Sequence, residues 1–323
     1  MRQDARVRQN VNIAGVQGYH GCRHYDINYA FQGFTGNWYF NSDRKEKTVM
    51  GEDGILRRDN GQPFMGYGLE VELQCNGITR QAVLAECLEK IIFPHFKFGA
   101  DMFKMQNDCT LGGRSNAEVI TQIMTKLRIR NDYSAWKAMF DVYFPAFDIM
   151  ADSHETTCGM HVNVSNAVFG KTTEKQIDNI RKLYYLINKH YDLMVRALYR
   201  DPNKTDWCGR MDYSEARNFD LYDAPSSHGN CFNASHFPEG RIEIRLVGGQ
   251  KDFWCFRNTM ETVFFLCERV KALKWEELDN LATVFKGCNQ YVYKRLSTEC
   301  ASCLTLSELE EIRDNVKTED LDF

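Results

Sequence analysis

The sequence predicts an α+β protein with a mainly antiparallel sheet and helices packed against it. Two observations support this fold class. Short segments alternate apolar and polar residues, which is typical of half-buried strands, and longer segments repeat apolar residues with helical spacing. The predicted order is strand, helix, strands, helix, strand, long helix, hairpin and long helix, and this order favours antiparallel pairing.

Local signals place each element. Residues 1–62 are rich in Gly, Asn, Asp and aromatic side chains, so they are predicted to be an irregular N-terminal extension or a small antiparallel one. Thr79 is a plausible N-cap of the first helix and Pro94 ends it, whereas Asp201 and Pro202 stop a long amphipathic helix. The predicted strands are 68–73, 102–108, 117–121, 158–165, 230–235 and 241–247, and the predicted helices are 78–96, 132–143, 173–200, 252–274 and 305–316.

Composition excludes several classes of function. The 323 residues are 43% hydrophobic, which is enough for a sizeable core. A net charge of −4 without a long basic run argues against a nucleic-acid partner. The chain has no apolar run of about 18 residues, so no membrane span is predicted. The twelve cysteines are scattered behind a polar N-terminus, which predicts reduced thiols and a cytoplasmic location.

Three strand-like segments carry the residues that indicate chemistry. Side chains two residues apart on a strand share a face and stand roughly 7 Å apart. The polar faces hold Glu70 and Glu72 on the first segment, His161 and Asn163 on the second, and Arg241, Glu243 and Arg245 on the third. Each group by itself has an ordinary explanation as solvated acids, a structural histidine or a salt-bridge ladder. Brought together, they would line one wall with carboxylates, an imidazole and guanidinium groups.

A second acid pair predicts metal ions at this wall. Asp108 and Glu118 fall on neighbouring strands of a predicted hairpin. Four or five converging carboxylates repel one another by several kcal/mol unless a cation neutralises them. Hard oxygen ligands with at most one imidazole suit Mg²⁺ or Mn²⁺ better than zinc.

These motifs resemble those of the amidoligase family, which comprises carboxylate–amine ligases with a glutamine-synthetase-like fold. The resemblance covers about residues 66–270 and keeps the family's motif order. The matching segments are Gly68 to Glu72, Asp108 to Thr110, Asn116 to Thr121, Cys158 to Val164, Asn233, and Arg241 to Arg245. The resemblance implies a curved, mainly antiparallel sheet in an amidoligase domain over 63–275. A C-terminal helical segment, 276–323, would pack on that domain.

The resemblance also implies an activity. Such a ligase uses ATP to convert a carboxylate into an acyl phosphate, and an amine then displaces the phosphate to form an amide or isopeptide bond. The implied cofactors are ATP and Mg²⁺ or Mn²⁺. The implied partners are small-molecule or peptide carboxylates and amines, and assembly into a homo-oligomer is possible.

Site residues follow from the same resemblance. Glu70, His161 and Glu243 would hold one metal, and Glu72 and Glu118, with Asp108 nearby, would hold another. Arg245 would stabilise the transferring phosphoryl group, and Arg241 is a weaker candidate for the same role. Asn163 and Asn233 would orient substrates or the ligand carboxylates.

Three other functions remain open from the sequence. The first is a phosphotransferase related to the guanidino kinases, and the second is a catalytically silent binding module of the same fold. The third is a metal-dependent hydrolase, which would not use the arginines. Cys300 and Cys303 form a lone C-x-x-C pair, and they are predicted to be ordinary thiols.

Overall fold

The computed structural model describes residues 38–51, 56–77, 81–106, 111, 115–224 and 229–318. These residues form one large, mostly antiparallel open sheet with helices packed against it, which confirms the predicted mixture of elements. The strands are β1 (Trp38–Phe40), β2 (Lys45–Met50), β3 (Leu56–Arg58), β4 (Tyr67–Cys75), β5 (Phe103–Gln106), β6 (Ser115–Thr121), β7 (Ile123–Met124), β8 (Ile149–Met150), β9 (Met160–Ser165), β10 (Phe232–Asn233) and β11 (Arg241–Ile244). The helices are α1 (Gln81–Cys87), α2 (Lys126–Asn131), α3 (Tyr133–Ala138), α4 (Phe144–Phe147), α5 (Thr173–Lys189), α6 (Tyr191–Ala197), α7 (Phe253–Arg269), α8 (Leu281–Phe285), α9 (Gln290–Thr298) and α10 (Leu306–Arg313).

Strand β4 lies at the centre of the sheet. In the described part of the chain the main order is β10-β11-β9-β4-β7-β1-β2-β3, with β6 and β8 also paired to β4 and with β5 paired to β6. All these pairings are antiparallel except that of β1 with β7. Motifs that lie far apart in the sequence therefore occupy adjacent strands.

The two faces of β4 differ because its sequence alternates. Leu69, Val71 and Leu73 are fully buried on one face. Helix α7 belongs to the same core, and its Phe264 ring packs edge-on against Tyr67 with 4.7 Å between the ring centroids. The alternate positions point to the opposite face, so burial of the apolar residues fixes which face carries the acids.

Local capping explains where the longer helices start. The Asp252 side chain accepts a hydrogen bond from the backbone N–H of Cys255 at the start of α7, and Thr172 caps α5 in the same way. The predicted helix over 173–200 is interrupted at His190, whose backbone leaves the helical range and whose Nε2 lies 2.9 Å from the carbonyl oxygen of Leu278. Among the helices of the described ranges, none has the length and apolar character needed to cross a bilayer.

Both flanks of the predicted central domain contact it. Residues 38–51 and 56–62, the described part of the predicted N-terminal extension, contain short antiparallel strands that join the sheet through β1. On the C-terminal side, Arg295 of α9 donates a hydrogen bond to the carbonyl of Cys255 in α7. The boundaries at residues 62 and 275 stay predictions.

Candidate active site

The sheet register brings the predicted site residues onto one face. Glu70 lies directly opposite His161, and Glu72 lies opposite Glu118. On the next strand Glu243 is opposite Asn163, and Asn233 of β10 is in turn opposite Glu243. Directly opposed residues of antiparallel strands project to the same side of a sheet. The register therefore assembles a polar patch from β4, β6, β9, β10 and β11.

His161 lies at the centre of this patch and is 6% exposed. Its Nδ1 is 3.3 Å from Glu70 Oε2 and 3.4 Å from Glu243 Oε1, while its Nε2 is 3.7 Å from Glu72 Oε1. The possible ligand atoms of Glu70, His161 and Glu243 lie within 4.8 Å of one another, and so do those of Glu72, Glu118 and His161. Two neighbouring sets of potential metal ligands thus share one imidazole.

The two asparagines hold carboxylates in place. Asn163 Nδ2 donates to Glu70 Oε1 at 2.8 Å, and Asn233 Nδ2 donates to Glu243 Oε2 at 3.0 Å. Each amide therefore fixes one carboxylate oxygen and leaves the other to face the imidazole. Both amides therefore orient carboxylates of the patch.

The two arginines of the third motif differ in burial. Arg245 directly follows β11, and its Nη1 donates to Glu243 Oε1 at 2.6 Å with 11% of the side chain exposed. Arg241 donates to Asn163 Oδ1 and lies near Glu239, with 35% of its side chain exposed. Arg245 consequently belongs to the interior of the patch, whereas Arg241 lies at its rim.

Opposing effects determine the pKa values of Glu70 and His161. Burial alone would raise the pKa of Glu70, but the hydrogen bonds from His161 and Asn163 and the charges of His161 and Arg241 lower it below its ordinary value. Burial alone would lower the pKa of His161, but the Glu70 hydrogen bond and the charges of Glu72 and Glu243 raise it despite the opposing charge of Arg245. These surroundings therefore favour the ionised form of Glu70.

The donor set fits a hard divalent cation. Four carboxylates converge on one imidazole, and three of the five residues are less than a tenth exposed. Carboxylate oxygens with one imidazole are typical ligands for Mg²⁺ or Mn²⁺. Asp108, which was predicted to lie beside Glu72 and Glu118, is outside the described residues.

One site residue was not predicted from the sequence. Gly159 donates its backbone N–H to Glu72 Oε2, and the guanidinium of Arg200 lies next to the same glycine. Arg200 is 6% exposed and donates from Nη2 to the carbonyl oxygens of Arg245 and Val247, each at 3.1 Å. Its only sequence signal was its position at the end of a predicted helix, and that position suggested nothing beyond a helix terminus.

The described cysteines do not take part in a second group of potential metal ligands. Cys300 is fully buried, and burial raises its pKa to about 12, so it stays a neutral thiol near pH 7. All ten cysteines within the described ranges are free thiols. These observations agree with the prediction that Cys300 and Cys303 are ordinary thiols.

A cavity of about 450 Å³ lies beside α5, away from the carboxylate patch. Three half-buried aromatic rings line it, those of Tyr185, Tyr213 and Trp275. The chain's own cations already lie on two of them, Arg217 over Trp275 and Arg210 over Tyr213, each 5.0 Å from the ring centroid. These cation–π contacts already occupy two of the three ring faces, and we assign no ligand to the cavity.

Comparison with known family models and curated sequences found no match. The arrangement of the carboxylates, the imidazole and the arginines is therefore the basis of the proposed function.

Proposed function

We propose that the protein is an ATP-dependent ligase of the amidoligase type, which joins a carboxylate to an amine with Mg²⁺ or Mn²⁺ as cofactor. The observation that supports this best is the pair of ligand sets that share His161 beside Arg245. Phosphoryl transfer from ATP depends mainly on alignment and on neutralisation of charge, and two cation sites next to a buried guanidinium offer both.

Each residue of the site has a proposed role. Glu70, His161 and Glu243 hold one ion, and Glu72 and Glu118 hold the other. Bound ions supply the positive charge that phosphate oxygens need during transfer. Asn163 and Asn233 keep the ligand carboxylates oriented through their hydrogen bonds. Arg245 directs its planar guanidinium at the phosphoryl group, as suits a fork of parallel donors.

The glutamine-synthetase-like fold is part of the same proposal. A mostly antiparallel sheet with helices packed against it supports this fold, and so does the order of the motifs along β4, β6, β9 and β11. The substrates we propose are a small-molecule or peptide carboxylate and an amine. The carboxylate would become an acyl phosphate and the amine would displace phosphate, so one free phosphate is released for each amide formed.

A thermal melt with ATP and Mg²⁺ or Mn²⁺ tests the site before any substrate is known. A ligand at 100 times its dissociation constant stabilises the folded state by about 2.7 kcal/mol, which raises Tm by a few degrees. We expect this shift in the wild type and its loss in Glu243→Gln. Glu268→Gln is the control and should keep the shift, because Glu268 is half exposed on α7 and pairs with Lys271.

Two outcomes bear on different parts of the proposal. If the wild type shows no shift with either metal, the nucleotide–metal site is refuted. If the shift occurs, hydroxylamine trapping of an acyl phosphate in a screen of carboxylates tests the ligase chemistry. Phosphate transfer to a guanidino group without release of free phosphate would identify a phosphotransferase instead.

A further inference from the structure

Arg200 is held inside the protein next to the proposed site. It follows α6 after Tyr199, whose positive φ of 59° reverses the chain, and its backbone N–H donates to the carbonyl of Val195 at 2.8 Å. A positive φ is uncommon for an aromatic residue, so the surrounding packing imposes this turn. Both donors of Nη2 are used on the carbonyls of Arg245 and Val247. The guanidinium is therefore held in a fixed position next to the residues that follow β11.

No negative charge neutralises this guanidinium at close range. Within the described ranges, no carboxylate oxygen lies within 4.0 Å of Arg200, and its buried Nε has no hydrogen-bond partner. The neighbouring Cys208 does not supply a charge, because burial raises the pKa of its thiol and keeps it neutral. The Glu72 carboxylate near Gly159 forms no direct ion pair with this guanidinium, and a buried cation without a direct partner is unfavourable, so this arrangement favours an anionic ligand.

Two other buried arginines have a different environment around the guanidinium group. Arg257 is 5% exposed and lies over the rings of Trp254 and Tyr291, at 4.0 and 3.7 Å from their centroids. Arg295 is 3% exposed and lies over the ring of Tyr199 at 4.9 Å. Among the described residues neither has a carboxylate partner, but each has an aromatic face, which attracts a cation. Arg200 has neither a carboxylate nor a ring in the described structure.

Gly159 connects Arg200 with the metal ligands. A Cβ atom at this position would lie 3.0 Å from Arg200 Nη2 and 3.2 Å from Glu72 Oε2. The guanidinium and the carboxylate thus both lie next to a residue that has no side chain. Arg200 consequently lies beside the set formed by Glu72 and Glu118.

We propose that Arg200 binds the phosphoryl group of ATP while that group is being transferred. This inference depends on the proposed function. Arg245 already shares its Nη1 with the Glu243 carboxylate at 2.6 Å, whereas no carboxylate of the described residues pairs with Arg200. A guanidinium fixed in advance by two carbonyls can stabilise the charge of the phosphoryl oxygens without rearranging. Arg200 would therefore contribute to the transition state more than to the binding of ADP.

Calorimetric titration with ADP and Mg²⁺, with and without aluminium fluoride, tests this role. Aluminium fluoride with ADP mimics the phosphoryl group during transfer, so aluminium fluoride should increase the affinity of the wild type for ADP. We expect Arg200→Gln to bind ADP with wild-type affinity and to lose about 10- to 100-fold of the tightening that fluoride causes. Equal tightening in both proteins would overturn the inference.

Matched variants separate this role from a structural one. Arg257→Gln removes another buried arginine outside the site and should keep both ADP binding and the effect of fluoride. If Arg200→Gln does not fold, Arg200→Lys provides the measurement, because an ammonium keeps the charge but cannot bond both carbonyls and the phosphoryl group. Full fluoride tightening in Arg200→Lys would also overturn the inference. Failure of the wild type to bind ADP and Mg²⁺ would instead refute the proposed function.

Discussion

Glu70 and His161 lie directly opposite each other on β4 and β9, with 3.3 Å between Oε2 of the carboxylate and Nδ1 of the imidazole. The same Nδ1 is 3.4 Å from Glu243, while Nε2 faces Glu72 at 3.7 Å. A neutral imidazole carries a proton on one nitrogen and a lone pair on the other. His161 can therefore be a ligand in only one of the two sets at a time, and the position of Nδ1 favours the set with Glu70 and Glu243.

Glu70→Gln should reduce the number of Mn²⁺ ions that bind. If each ligand set holds one ion, we expect two tightly bound ions per wild-type chain and one in the variant. The neutral amide is a poorer ligand than a carboxylate, and the set of Glu72 and Glu118 keeps its charges. Titration with Mn²⁺ followed by electron paramagnetic resonance counts the ions that are free.

The control for this experiment is Glu268→Gln, which removes a carboxylate from the protein surface and should leave both ions bound. Unchanged binding of two ions by Glu70→Gln would show that Glu70 is not a metal ligand. Loss of both ions with the fold intact would show that the two sets behave as one site.

Arg245→Lys should separate the binding of metal from the binding of nucleotide. The variant keeps a positive charge near Glu243, so we expect Mn²⁺ binding close to that of the wild type. An ammonium cannot present two parallel donors to a phosphoryl group, so ATP with Mg²⁺ should stabilise the variant much less. Thermal melts with and without ATP measure this difference. A full ATP-dependent shift in the variant would rule out the role proposed for Arg245.

The part of the site that depends on local pattern was predictable. Alternation along β4 identifies Glu70 and Glu72 as neighbours on its polar face, because the apolar residues between them must be buried. The same argument applies to His161 and Asn163 on β9. The order of the strands was not predictable in this way, since the pairing of β9 with both β4 and β11 depends on contacts between distant parts of the chain.

Arg200 could not be found from the sequence for the same reason. Its position depends on the left-handed backbone of Tyr199, whose carbonyl oxygen would be only 2.0 Å from a Cβ atom at Gly248. Close packing between two loops that are 49 residues apart in the sequence leaves no periodic signal. The break at His190 was missed in a similar way, because its ring bonds to Leu278 in a later segment.

Glu261→Gln should destabilise the protein although it lies outside the proposed site. Glu261 is 1% exposed and accepts hydrogen bonds from Arg130, Tyr133 and Asn289, so it joins α7 to α2, α3 and the start of α9. The substitution replaces the carboxylate that pairs with the guanidinium of Arg130 by a neutral amide. We expect the free energy of unfolding to fall by about 2–4 kcal/mol, measured by urea denaturation.

Glu268→Gln on the same helix is the matched control. Its carboxylate is half exposed and pairs with Lys271 at 2.5 Å, and such a surface pair contributes about 0.5 kcal/mol or less. Equal effects of the two substitutions would mean that the buried network around Glu261 does not stabilise the packing of α7.

His190 should make stability decrease at mildly acidic pH. Burial lowers its pKa below the ordinary value, and the hydrogen bond to Leu278 and the charge of Asp279 only partly oppose this effect. The unfolded chain therefore takes up a proton at higher pH than the folded chain does. The folded state is therefore most stable above about pH 6.5, the pKa of His190 in the unfolded chain. This stability is lost as the pH falls toward the lower pKa of His190 in the folded state.

Urea denaturation at pH 7.5 and at pH 5.5 should show a smaller decrease in the free energy of unfolding for His190→Gln than for the wild type, because the glutamine can still donate to Leu278. Because the other titrating groups are common to both proteins, an equal decrease would show that His190 is not responsible.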